Sequence, residues 1–335
     1  MQSFKIKQSF GVSLQALSLA VLCSVPFQSQ AQDAPLIDLG AELEQLQETE
    51  QTTTPATPAQ SSPRPAVQAP VVKHERPQSV QKAAAEPQKE PAQQAPHWGY
   101  AGTEGPAHWG DLSQAYATCK GGKNQSPIDL RDATAIGTQG LGSLDIFYRD
   151  VPLKVINNGH SVQVNYPLGS YIKVGGKRYE LMQFHFHTPS EHKKEGFNYP
   201  MEVHLVHKDG DGNLAVIAVI FQEGEENDYL NTLLQVLPKQ SGAEKLYKGL
   251  SLNPAYFIPG NTEFYKYSGS LTTPPCSEGV YWMVFKHPVE ASAEQIQMMH
   301  QVMGDNARPV QDLNARNVLK SWSEQLGEQP MYEFY

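Results

Sequence analysis

Three cysteines in 335 residues are too few for a disulfide scaffold or for a metal site of four thiolates. Positive charge is also short. The 26 Lys and Arg against 35 Asp and Glu leave a formal charge of -9, which argues against nucleic acid or an anionic membrane as a partner. No run of 18 consecutive apolar residues occurs, so the chain offers no transmembrane segment. From Asp33 to Pro96 aromatic residues are missing and branched aliphatics are few, in a stretch rich in Pro, Gln, Ala, Thr and Glu. Such a stretch cannot bury enough apolar surface to offset its ordering entropy, so residues 32–96 read as a disordered tether. Within it, Leu39, Leu43 and Leu46 stand at helical spacing, one heptad that fits a transient helix or a short oligomerising one.

Residues 1–31 carry Lys5 and Lys7, then an apolar stretch from Val12 to Val25, then Ser29-Gln30-Ala31 with small residues before the cut. That is the pattern of a secretory signal peptide, and it predicts an exported, periplasmic or secreted protein. A lipoprotein anchor at Cys23 is the competing reading; lipobox cysteines follow a small residue, and here Leu22 precedes. Cleavage removes two lysines and no acid, moving the charge from -9 to -11, and leaves only Cys119 and Cys276. In an oxidising compartment an even pair reads as one disulfide, the alternative being two buried thiols.

At His97 the texture changes, and residues 97–335 are enough for one large domain. Short β-branched or aromatic runs punctuated by Gly, Asn and Pro recur at 153–156, 161–166, 171–174, 179–187, 201–207, 214–221 and 280–286. Helical pattern is confined to 228–236 and 293–303. The fold class expected is mainly β (α+β): one large, twisted, mostly antiparallel sheet with peripheral short helices.

Eleven histidines are present, five of them between residues 185 and 207. In Gln183-Phe184-His185-Phe186-His187 the faces alternate, so His185 and His187 project together and the phenylalanines project oppositely. Two imidazoles whose backbones are about 7 Å apart can converge on one ion. Glu202-Val203-His204-Leu205-Val206-His207 offers a third ligand, but His204 and His207 point to opposite faces. His204 is the choice, because its face also carries Glu202, an acceptor for a ligand's outer ring N–H, and Val206, an apolar neighbour. His207 reads as a partly buried histidine bonded to a backbone carbonyl. Three imidazoles suit Zn(II) with one corner open, a catalytic arrangement. A structural ion would take a fourth protein ligand, for which His192 is the alternative.

Several stretches together carry a family resemblance: His97-Trp98-Gly99-Tyr100, Gln125-Ser126-Pro127-Ile128, Asn157-Asn158-Gly159-His160, Gln183 to His187, Ser190-Glu191-His192, Glu202 to His207, Gly269 to Pro275 and Asn306-Ala307-Arg308-Pro309. Over nearly all of His97 to Tyr335 the chain resembles the α-class carbonic anhydrases, and its cysteine positions resemble the exported bacterial branch, in which a disulfide steadies the loop bearing Leu271-Thr272-Thr273. The resemblance implies Zn(II) held by His185, His187 and His204, with Gln183, Glu202 and the Asn306 carbonyl behind them. It implies attack of a zinc-bound hydroxide on CO2 to give bicarbonate and a proton, with ester hydrolysis as a side activity.

Other roles follow from the resemblance too. Thr272 and Glu191 become a gatekeeping pair. If the Thr272 hydroxyl gives its one proton to Glu191, its oxygen is left only to accept, and it selects the hydroxide proton. Val206, Val216, Leu271, Val280 and Trp282 match the apolar wall around CO2, and Thr273 matches a bicarbonate contact. His160 matches a proton shuttle, a role suited to a side chain with an unperturbed pKa near 6.5. Tyr100 and Asn158 match residues that order water on the proton path. The family does not account for the tether, which leaves a surface-adhesion module as the rival reading and leaves dimerisation open.

Overall fold

The computed structural model describes residues 96–138 and 141–322. The expected signal peptide, and all of the expected tether except Pro96, lie outside the described residues. Among those described, strands dominate. A 13-stranded sheet runs, neighbour to neighbour, through 245–252, 151–157, 162–165, 177–187, 201–208, 214–223, 278–285 and 264–270, and ends on two short strands. Most pairings are antiparallel. Leu214–Glu223 runs parallel to both Glu278–Phe285 and Val289–Ala291, and the two short terminal strands, Leu319–Lys320 and Ile136–Gly137, also pair in parallel. The mainly β reading with few short helices is borne out.

The middle of this sheet is buried on both faces, and alternation sorts its side chains. Along Met201–Lys208, Val203 and Leu205 enter one apolar cluster, with Phe184, Phe186, Ile217 and Val219. Val206 enters a second, with Val216, Ala218, Val280 and Trp282. The metal-ligand candidates stand on the second face. Helices stay at the margin: Asp228–Leu234, capped by Asn227, and Ala293–Met303, opened by a Ser292–Gln295 capping box.

Each expected strand exists, most shifted by a residue or two at their ends. Two long strands went unread. Phe264–Ser270 carries buried rings on successive residues, Phe264 and Tyr265, so no two-residue alternation shows at its start. Lys245–Leu252 is largely exposed and holds Gly249, so it lacks an apolar face to read.

Candidate metal centre

In the pairing of 177–187 with 201–208, His185 stands opposite His204, and His187 opposite Glu202. Directly opposed residues share a face. The three imidazoles therefore crowd together, with ring centroids 5.0, 5.3 and 4.5 Å apart. Each ring offers one nitrogen, and the three atoms lie within 4.8 Å of one another.

The other nitrogen of each ring is already held. Gln183 Oε1 lies 2.9 Å from His185 Nδ1, the Asn306 carbonyl oxygen 2.8 Å from His187 Nδ1, and Glu202 Oε1 2.8 Å from His204 Nε2. Those oxygens accept ring N–H groups, which leaves lone pairs on His185 Nε2, His187 Nε2 and His204 Nδ1. Burial holds His185 and His187 below the ordinary histidine pKa, so both rings are neutral. His187 Nε2 is buried without a hydrogen-bond partner. Buried polar atoms are nearly always paired, so an orphaned nitrogen turned toward two similar rings fits a bound cation. Three imidazoles with converging lone pairs suit Zn(II), with Glu202, Gln183 and Asn306 behind them, the arrangement that the resemblance implies.

His192 does not supply a fourth ligand. Its Nδ1 is 2.6 Å from Glu202 Oε1 and its Nε2 2.7 Å from the Tyr267 hydroxyl, so both nitrogens are engaged. Burial alone would raise the Glu202 pKa, but the rings of His192 and His204 more than reverse it and hold the carboxylate well below its usual range. His207 lies on the opposite face, fully buried, with Nδ1 3.2 Å from the Ala215 carbonyl oxygen and Nε2 2.7 Å from the Tyr148 hydroxyl.

Glu191 is buried beside the cluster. Its Oε1 accepts from the Arg308 backbone N–H at 2.9 Å, while Oε2 lies 3.6 Å from His187 Nε2 and 3.8 Å from His204 Nδ1. Oε2 has no hydrogen-bond partner, so the expected bond from Thr272 is not formed in this structure. Thr272 does reach the same cavity, a cleft of about 920 Å³ counting its open mouth.

Val206, Val216, Leu271, Thr273 and Trp282 line that cavity, as do Tyr100, Asn158 and His160. Val280 lies in the apolar cluster behind the wall and is not a lining residue. The His160 ring stacks on Trp98, with centroids 3.7 Å apart and planes 7° from parallel. Burial first, and His97 second, lower its pKa to about 4. Burial and the nearby Glu191 raise the Tyr100 hydroxyl well above its usual value.

Cys119 and Cys276 are joined in a disulfide, as expected. Three contributors were missed in the sequence. Gln163 lines the cavity because it pairs with His185, a register that alternation cannot supply. Trp98 supplies the stacking platform for His160. Arg308, fully buried, donates Nη1 to Gln125 Oε1 and the Ser126 carbonyl, and Nη2 to the Cys119 carbonyl. Both Trp98 and Arg308 stand inside stretches that carry the resemblance, but their partners are remote in sequence.

A β-sheet that brings three histidines to one side of an apolar-walled cleft, where they could hold a metal ion, is the frame of a candidate metal-site enzyme. A family profile described as eukaryotic-type carbonic anhydrase matches residues 104–322. Carbonic anhydrases of Nostoc sp. and Pectobacterium carotovorum are each 44% identical, over 227 and 225 residues; both alignments cover 67% of this chain, and 86% and 90% of those proteins. The solved α-carbonic anhydrase of Thermovibrio ammonificans, in complex with the inhibitor sulfanilamide, superposes with a TM-score of 0.65 at 49% identity over 67% of this chain and 99% of that one. The chain belongs to the α-class carbonic anhydrase family, whose reaction is the hydration of carbon dioxide.

Proposed function

We propose that this cleft hydrates CO2 reversibly to bicarbonate and a proton, using Zn(II) held by His185 Nε2, His187 Nε2 and His204 Nδ1, with His160 as the proton carrier. One observation carries the reading: three rings whose outer nitrogens are fixed by Gln183, Asn306 and Glu202 leave three lone pairs converging in one buried space. Zn(II), when bound, supplies a Lewis acid that makes water acidic enough to lose a proton near neutrality.

The remaining work belongs to the chain's own residues. Val206, Val216, Leu271 and Trp282 offer CO2 an apolar surface and keep bulk water off its carbon. Thr272 Oγ1, once its proton is turned to Glu191, is left only to accept, so it would hold the proton of the attacking oxygen and leave that oxygen's own lone pair aimed at CO2. Thr273, next along the same wall, meets the bicarbonate. With a pKa of about 4, His160 is neutral over the physiological range. In this stacked, buried position it holds the released proton only in passing and gives it up readily to solvent, whereas a more exposed ring would take the proton more easily. Tyr100 and Asn158 flank it on the cavity surface and order the water between.

Stopped-flow CO2 hydration with zinc analysis tests the reading. Wild type should carry about one zinc per chain, as a three-histidine site requires, and turn over. His204→Ala should lose both, and undiminished turnover in that variant would remove the proposal. His160→Ala should be slow only in weak buffer and recover with added imidazole.

Export belongs to the same proposal. Removal of residues 1–31 would deliver the domain to a compartment that oxidises Cys119 and Cys276, and the mass of the periplasmic product tests this.

A further inference from the structure

A line of side-chain amides runs from the cavity to the rim. Asn158 and Gln163 both line the cavity. Asn158 Nδ2 donates to Gln163 Oε1 at 3.5 Å, and Gln163 Nε2 donates to Asn165 Oδ1 at 2.6 Å. Asn165 Nδ2 in turn donates to Glu244 Oε2. The other oxygen of Glu244 is 2.7 Å from Lys154 Nζ. At the inner end, Asn158 Oδ1 accepts the backbone N–H groups of His160 and Ser161, at 3.0 and 2.8 Å.

The direction of this line is chemically forced. A primary amide can present either its oxygen or its NH2 to a neighbour, but a carboxylate can only accept. Glu244 therefore obliges Asn165 to offer NH2, which turns the Asn165 oxygen to Gln163. That in turn makes Gln163 offer NH2 outward and oxygen inward. Asn158 then gives its NH2 to Gln163 and keeps its oxygen for the His160 turn. The Glu244 carboxylate at the outer end and the two backbone N–H groups at the inner end thus impose the same orientation on every amide between them.

Glu244 is held in place independently. Its loop is clasped to the residue before Asn158, since Asn157 Nδ2 donates to the Pro238 carbonyl and the Gly242 N–H donates to the Asn157 carbonyl, both at 3.1 Å. We propose that Glu244 is a positioning residue for the proton-exit side of the cleft, acting through Asn165, Gln163 and Asn158 on the His160 turn. This rests on the reading of His160 as the proton carrier.

The test compares the zinc-loaded full chain with Glu244→Gln, which can donate as well as accept, with Asn165→Leu, which cuts the line but keeps the rim charge, with the double variant, and with His160→Ala. In weak buffer, Glu244→Gln and Asn165→Leu should each lower kcat about two- to fivefold, a small part of the ~100-fold or more typical of proton-transfer catalysis. kcat/KM should hold, imidazole should restore kcat, and the double variant should be no worse than either single one. In NMR spectra of Glu244→Gln, the amide resonances of His160 and Ser161 should move. An equal fall in kcat and kcat/KM, still amides, or an effect of Glu244→Gln with none from Asn165→Leu would overturn the proposal. If His160→Ala itself shows no weak-buffer defect, the carrier reading is what fails, and this inference falls with it. A defect in His160→Ala alone would sink only the role of Glu244.

Discussion

Glu202 decides which nitrogen of His204 is left free. Its Oε1 takes the ring N–H groups of both His204 and His192, and its Oε2 takes the His192 backbone N–H at 2.8 Å. Glu202→Gln keeps the shape but removes the charge and puts an NH2 where one of these acceptors stood. Zinc affinity should fall about 10- to 100-fold, as for other partners of ligand histidines, and competition with a chelator measures it. An unchanged affinity would mean that His204 needs no orienting acceptor. His207 makes a different commitment, because burial holds its pKa to about 3 against an ordinary 6.5. Between those values the unfolded chain binds the extra proton and the folded chain does not. Stability therefore falls as pH drops below about 6.5, by at most about 1.4 kcal/mol per pH unit from this residue. His207→Gln lacks that component, so its urea midpoint should approach the wild-type one between pH 7 and pH 5. Midpoints that stay parallel would contradict it.

Strand alternation made most of the site legible. The Phe184/His185/Phe186/His187 pattern separates core from pocket correctly, and Glu-x-His on the neighbouring strand finds its place opposite. Alternation fails at Met182. There the register slips, so that Val206 faces Gln183 while His207 faces Leu181. The extra residue lets Leu181 join the same apolar cluster as Phe184 while Gln183 turns to His185. A bulge of this kind depends on pairing between strands, which no single strand reveals. The turn that carries Thr272 and Thr273 depends on contacts just as distant. The disulfide ties Cys276 to Cys119, and Gln125 Nε2 also donates to the Cys276 carbonyl at 3.1 Å while Arg308 grips both Gln125 and Cys119. Cys119→Ser should therefore lower unfolding free energy by about 2 to 4 kcal/mol while leaving most of the turnover, because the polar clasp survives. Loss of turnover at full folding would show that the disulfide alone holds the turn, and two free thiols in the folded wild-type protein would show that it does not form.

At the scale of the whole chain, composition sets a stretch rich in aromatic and branched aliphatic residues apart from a long segment without aromatics and with few branched aliphatics, and the family match begins at residue 104, past that segment. The edge between the two matters chemically. Pro96 lines the cavity, and its carbonyl oxygen is 3.3 Å from the Tyr116 hydroxyl, while Trp98 carries the His160 ring. Catalysis should thus be indifferent to everything before Pro96 and sensitive just after it. Deleting residues 32–95 should leave kcat and kcat/KM within about a factor of two, as expected for a segment too poor in apolar groups to pack. Extending the deletion through Trp98 should remove the surface on which His160 stacks and lower kcat in weak buffer, with kcat/KM spared. If the shorter deletion already slows hydration, the tether takes part in the cleft. If the longer one is silent, the stacked position of His160 has no bearing on proton release.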